Sequence, residues 1–203
     1  MRKAQVNPKA REKLLEAAQH LMLTQGFAAT TIDEICVAVR LTKGSFFHYF
    51  KSKDHLGELL LERFCCSSMQ KMQECGCHTN NKQDPLERVY NYIDFMIKSS
   101  KDVSRGKGCL IGTFAQELSD TYPKIRSMCA DGFDEWTKIF EHDLKEAKAK
   151  YAPRASFDVK SLAQHFIAIA EGSQILAKAK QDKKIIEKNM VHFKEYLKSL
   201  FKK

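Results

Sequence analysis

TTIDEICVAVRLTKGSFFHYFKSKDHL, residues 30–56, repeats its apolar side chains at three and four residues and is punctuated as a short helix, a tight turn and a second short helix. Thr31 followed three residues on by Glu34 is a capping box, and it opens the first helix. Ile32, Ile35, Cys36 and Val39 fall on its inner face, and Leu41 plugs the turn. Thr42 caps the second helix, where Phe46 and Phe50 point to a core at i and i+4. Lys43, Gly44, Ser45, Phe47, His48 and Tyr49 are left at the helix start or on its outer face. A helix presented by its N-terminal end in this way fits the major groove of duplex DNA.

The side-chain chemistry divides the roles within the DNA-facing set Thr31, Thr42, Lys43, Gly44, Ser45, Phe47, His48, Tyr49 and Lys53. Lys43 and Lys53 are expected to neutralise phosphates, and Thr31 and Tyr49 to donate to them. Gly44 lets its backbone N–H come close, while Ser45 and His48 suit base edges. Upstream, Leu14, Ala18, Leu21, Met22 and Gln25 share one face of a preceding helix that runs out at Gly26, with Phe27 folding back as at a glycine C-cap. Charge agrees with an anionic partner: residues 1–53 hold nine basic and four acidic side chains, a net +5, against +4 for the remaining 150 residues.

At 203 residues and 43% hydrophobic content the chain can bury a sizeable core, which excludes a disordered polypeptide. Polar residues interrupt every apolar run well before ~18 residues, so no membrane span is expected. Seven cysteines, with polar residues rather than an apolar leader after Met1-Arg2-Lys3, predict a protein of the reducing cytoplasm.

Four prolines and helical periodicity throughout predict an all-α fold. Asn80 to Gln83 is a polar linker, and Asp84-Pro85-Leu86-Glu87 supplies an N-cap, a proline at the first helical position and a capping-box glutamate. Residues 80–84 therefore mark the expected boundary. A three-helix DNA-binding domain over residues 1–56, with a connecting helix to about 79, precedes a larger helical domain over 84–203 for effector binding and dimerisation. A helix break is expected at Gly106-Lys107-Gly108, a long helix from Asp120–Pro123 to about Lys150, and two final helices over roughly 158–180 and 182–201.

QGFAATT at the end of the first helix, then the helix-turn-helix, then KGSFFHYFKSKDHL, resemble the DNA-binding domain of the TetR family over about residues 9–56. The resemblance implies an all-α dimer with a divergent ligand-binding domain, in which a small molecule weakens operator binding. Two positions depart from the family pattern. Arg40 stands where a turn glycine is usual, so a residue with a Cβ must take that turn. Phe47 stands where a tyrosine hydroxyl usually reaches phosphate.

In the C-terminal half, aromatic residues including Phe114, Trp136 and Phe166 recur at core spacing, and some of them are expected to line an apolar effector pocket. The last two helices, with the small residues Ala168, Ala170, Gly172 and Ser173, suit a four-helix interface between two copies. In GKGCLIG, residues 106–112, Cys109 sits beside Lys107 near a helix start, a setting that stabilises a thiolate. GCLIGTFAQELSD with PKIRSMCADGF resembles the electrophile-responsive subgroup around the regulator of N-ethylmaleimide reductase. That resemblance implies a sensor at Cys109 with Lys178 as the matching lysine. Cys65, Cys66, Cys75, Cys77 and His78 lack a zinc-ligand spacing, so no metal is expected, and no cofactor. Cys36 and Cys129 read as core.

The expected function is that of a homodimeric, non-enzymatic regulator. It would repress by binding a palindromic double-stranded operator and be released by a small-molecule or electrophilic effector. Two alternatives are a thiol-dependent enzyme acting on electrophiles through Cys109, with His142 or His165 approaching it in space, and a constitutive DNA-binding scaffold without an effector.

Overall fold

The computed structural model describes residues 8–74, with side chains to residue 70, together with 83–101 and 108–202. Among the described residues the regular structure is helical: α1 Pro8–Gln25, α2 Ile32–Ala38, α3 Lys43–Tyr49, α4 Lys53–Glu74, α5 Pro85–Ser100, α6 Leu110–Leu118, α7 Pro123–Tyr151, α8 Val159–Lys180 and α9 Lys184–Phe201. The expected all-α fold is what the chain adopts. Two compact units form, one from Met1–Phe64 with Leu110–Cys129, the other from Cys65–Cys109 with Ala130–Lys203. Among the described residues no helix is long and apolar enough to cross a membrane.

The first unit is built on capped short helices. Gly26, at φ +92°, ends α1 with its N–H on the Met22 carbonyl at 3.0 Å, and Phe27 folds back into the core. Thr31 and Glu34 complete the capping box of α2 in both directions. At the other end of α2 the Arg40 N–H bonds to the Val37 carbonyl and the Leu41 N–H to the Cys36 carbonyl, the paired bonds of a Schellman motif. Arg40 carries the left-handed residue of that motif, at φ +57°. The turn thus keeps its usual shape with a side chain where glycine is usual. Leu14, Ala18, Met22, Ile35, Phe46 and Phe50 are buried together with Leu56 and Leu60 of α4. Each such side chain stabilises the unit by ~1.5–3 kcal/mol, Ala18 contributing less. α6 packs on α1 and brings Phe114 edge-on to Phe27 at 5.4 Å, with Tyr122 at 5.8 Å from the same ring. Gly57 is glycine for want of room, since a Cβ there would stand 2.9 Å from the Phe27 ring.

The second unit packs α9 against α8 and α5 around an aromatic core. Phe140 and Phe166 stack at 4.3 Å, and Tyr92 and Phe193 flank Phe166 at 5.7 and 5.4 Å. Asp84 caps α5, accepting from the N–H groups of Leu86 and Glu87, and also receives Lys150 and the Tyr151 hydroxyl of α7. Burial opposes its ionisation, yet those donors hold its carboxyl well below the usual carboxylate range. α7 runs to Tyr151, and α8 starts behind an Asp158 cap. Residues 106 and 107 of the expected helix break lie outside the described residues.

Candidate nucleic-acid interface and effector site

α3 is seven residues long and is held from below by Phe46 and Phe50, buried with ring centroids 5.2 Å apart. Its upper face carries the expected residues. Thr42 caps the helix by accepting from the Ser45 N–H at 3.2 Å, and its hydroxyl lies 3.2 Å from that of Ser45. Phe47 is 53% exposed and rests edge-on against Phe46, while exposed His48 packs on half-buried Tyr49 at 4.8 Å. Gly44 is exposed, and a Cβ there would meet only the Thr42 hydroxyl, at 3.7 Å. An exposed aromatic ring held by the core has little entropy left to lose on contact, and thymine methyl groups are natural partners for it.

The basic residues differ in what they have left to give. Lys43 is exposed and pairs with exposed Asp33 at 2.9 Å, a contact solvent weakens and phosphate can replace. Lys53, the first residue of α4, points its ammonium at three carbonyls, those of Phe27 and Thr30 at 3.0 Å and of Ala28 at 3.3 Å, and lies 4.5 Å above the Phe27 ring. Its three protons are engaged in closing the α1–α2 loop. Thr31 likewise spends its hydroxyl on Glu34, donating to it at 2.9 Å while accepting from its N–H.

Sequence reasoning passed over Glu117 on α6. Its carboxylate accepts the N–H of Phe27 at 2.7 Å and of Ala28 at 2.6 Å, ninety and eighty-nine residues away in the chain. The α1–α2 loop is therefore held by an acid on its N–H groups and by Lys53 on its carbonyls. Acidity alone among α6 residues could not have announced this, because the partner is backbone.

The effector candidates separate. Phe114 is fully buried in the first unit, against Phe27. Cys109, Trp136, Phe166 and Lys178 belong to the second. Trp136 meets Phe166 edge-on at 6.1 Å, and Lys178 is exposed in the last turn of α8. Cys109 is buried, immediately before α6 in the chain, and its thiol hydrogen-bonds to Glu171 of α8. Burial pushes the Glu171 carboxyl up to about 6 against that bond. Burial likewise raises the Tyr92 phenol well above its usual range, against the opposing pull of the Trp136 indole beside it.

Of the other thiols, Cys36 and Cys129 are buried, and burial raises Cys36 and Cys65. Cys66 is exposed on α4. Cys75, Cys77 and His78 lie outside the described residues. His142, Asp143 and Glu146 bring ligand atoms within 4.8 Å of one another, but the Arg88 guanidinium already binds the latter two. His165 packs its ring on Phe193 and Tyr196.

Residues 14–60 match the family described as bacterial regulatory proteins, tetR family, and residues 85–193 match the tetracyclin repressor-like C-terminal domain. The chain is 27% identical over 177 residues to the HTH-type transcriptional repressor DhaR of Mycobacterium sp. (strain GP1), covering 87% of this chain and 86% of that one. It is 24% identical over 187 residues to the HTH-type transcriptional repressor NemR of Escherichia coli K12, covering 92% and 93%. Its fold is similar to that of the reduced form of E. coli NemR, with a TM-score of 0.76, 24% identity and coverage of 92% and 96%. It is similar too to a regulatory protein TetR from Rhodobacter sphaeroides, with a TM-score of 0.79, 24% identity and coverage of 92% and 97%. A capped helix-turn-helix followed by a second helical unit, matched along most of its length, makes this chain a member of the TetR family of DNA-binding transcriptional regulators.

Proposed function

We propose that the chain is a dimeric repressor, bound to a near-palindromic operator through α3 and released by an electrophilic effector at Cys109. The observation that carries the DNA reading is the α3 face itself, where Phe47 and His48 stand exposed on a helix fixed by Phe46 and Phe50. Thr42, Lys43, Gly44, Ser45 and Tyr49 surround them as phosphate and base partners, with Thr31 and Lys53 setting the start of α2 and the loop behind it.

Dimerisation is assigned to α8 and α9. Ile175, Leu176, Val191 and Tyr196 are exposed there, and a groove of about 350 Å³ runs between the helices along His165, Ile169, Gly172 and His192. A Cβ at Gly172 would meet nothing within 4 Å, which leaves room for a second copy's side chain. A near-palindromic operator requires of such a pair two α3 helices ~34 Å apart, one helical turn of DNA, or somewhat further.

Cys109 supports the effector reading because it pairs with a polar partner, Glu171, and the chain passes from it directly into α6. Addition of N-ethylmaleimide would form a sulfur–carbon bond, break the alkene π bond and leave the thiol proton on the neighbouring carbon. The adduct adds bulk at a buried position. Trp136, Phe166 and Lys178 are proposed as neighbours of the effector in the same unit, while Phe114, packed on Phe27 in the first unit, is left out of that set.

The test is to enrich duplexes from a random pool and then treat the complex with N-ethylmaleimide. The expected results are an inverted repeat, release from wild type with one adduct at Cys109, and retention by Cys109→Ser. Release of Cys109→Ser to the same extent would place the switch elsewhere, and turnover of the electrophile would favour an enzyme.

A further inference from the structure

The segment Gly26-Phe27-Ala28-Ala29-Thr30 connects α1 to α2 without regular structure, and side chains from outside the helix-turn-helix supply most of its hydrogen bonds. Glu117 takes the N–H groups of Phe27 and Ala28, at 2.7 and 2.6 Å. Lys53 takes the carbonyls of Phe27, Ala28 and Thr30. Thr30, fully buried, closes the loop on itself by donating to the Gly26 carbonyl at 2.7 Å. The next residue, Thr31, is the cap of α2, and α2 passes through the Schellman turn at Arg40 into α3. The loop conformation therefore sets where α2 starts and, through it, the orientation of α3.

Glu117 is suited to hold that conformation without being part of the core. Its side chain is solvent-facing, so removing it opens no cavity beneath Leu14, Ile35, Phe46 and Phe50. Two N–H groups sharing one ionised carboxylate are a charge-assisted, bidentate arrangement, which fixes direction as well as distance. Gly26 makes the approach possible: besides its φ of +92°, a Cβ there would stand 3.1 Å from a Glu117 oxygen.

We propose that Glu117, on α6 and more than sixty residues beyond the helix-turn-helix, is a positioning residue for operator recognition. It acts by clamping the α1–α2 loop against Lys53. It touches no DNA. The proposal rests on DNA recognition by α3 and is independent of Cys109 and of any effector.

The experiment uses the full chain with two duplexes of equal length, one enriched by the wild-type protein from a random pool and one unselected. Failure of the wild type to enrich any sequence would sink the α3 reading rather than this one. Glu117→Gln keeps the size but faces one of the two N–H groups with an NH₂. It is expected to bind the enriched duplex about tenfold more weakly, with binding to the unselected duplex unchanged and the thermal midpoint lowered by no more than about 4 °C. Amide exchange at Phe27 and Ala28 should be faster, and Glu117→Asp, which keeps both oxygens, should recover part of the affinity. Wild-type affinity in Glu117→Gln would overturn the proposal. So would a parallel loss of affinity for both duplexes, or a loss of folding in this isosteric variant, since either would mark a merely structural contact.

Discussion

Arg88 of α5 donates from Nε to Asp143 of α7 at 2.9 Å, with both side chains sealed from solvent. The same guanidinium reaches Glu146 and the Gln83 carbonyl, so each of its three nitrogens donates to an acceptor. Removing one member of such a pair leaves a buried charge, whereas removing both leaves apolar volume to fill. Asp143→Ala is expected to lower stability by ~3–5 kcal/mol, and Arg88→Met combined with Asp143→Leu by much less than the sum of the single changes. Urea denaturation of the three variants checks this. Additive losses would show that the pair is not coupled.

Glu171 gives a pH signature. Its carboxyl is pushed up to about 6 from an ordinary 4.5, so the folded chain binds a proton more tightly than the unfolded chain. A raised carboxyl pKa favours the folded state at low pH. That contribution is complete below about 4.5 and is lost as pH rises through about 6. Glu171→Gln should therefore be more stable than wild type by about 2 kcal/mol near neutral pH, with the advantage shrinking to nothing near pH 4.5. Denaturation midpoints across that range decide it; a pH-independent difference would contradict the assignment.

Arg40 holds its left-handed conformation at φ +57° with a Cβ in place. Arg40→Gly relieves that cost and should stabilise the protein by ~0.5–1 kcal/mol, less any entropy glycine adds to the unfolded chain. Arg40→Ile, β-branched, should destabilise it by more than Arg40→Gly gains. Thermal melts of both variants supply the comparison, and equal melting temperatures would mean the turn has relaxed around its side chain.

Lys43 and Phe47 should separate charge from shape at the DNA. Lys43→Ala is expected to weaken enriched and unselected duplexes alike and to reduce the slope of log affinity against log salt by about 1. Phe47→Ala, at an exposed position, should leave stability within ~0.5 kcal/mol and weaken only the enriched duplex, by about tenfold or more. Titrations at several salt concentrations distinguish the two patterns. A salt slope altered by Phe47→Ala but not by Lys43→Ala would reverse the two roles.

Much of the helix-turn-helix could be read from the sequence because its signals are local. Gly26, the Thr31–Glu34 box and the Thr42 cap each act within four residues, and each is found in place. The Arg40 departure was equally legible, and the backbone adopts the conformation that the position demands. Contacts far apart in sequence were not legible. Phe114 shares its apolar spacing with the aromatic residues of α7 and α8, and periodicity says that a helix has a buried face without saying which unit buries it. Glu117 satisfies backbone N–H groups ninety residues away, and backbone carries no side-chain signature to search for. Glu171 became visible only once folding put a carboxyl beside Cys109.

Lys53 offers a last distinction. In the composition it counts as one more positive charge beside DNA, and an arginine would count the same. The three carbonyls of Phe27, Ala28 and Thr30, however, converge on one nitrogen, which a tetrahedral ammonium can serve and a flat guanidinium cannot. Position 53 is thus selective for shape at constant charge. Substitution tables that treat lysine and arginine as equivalent will misjudge it, and two relatives of identical net charge can differ in how firmly they set the recognition helix.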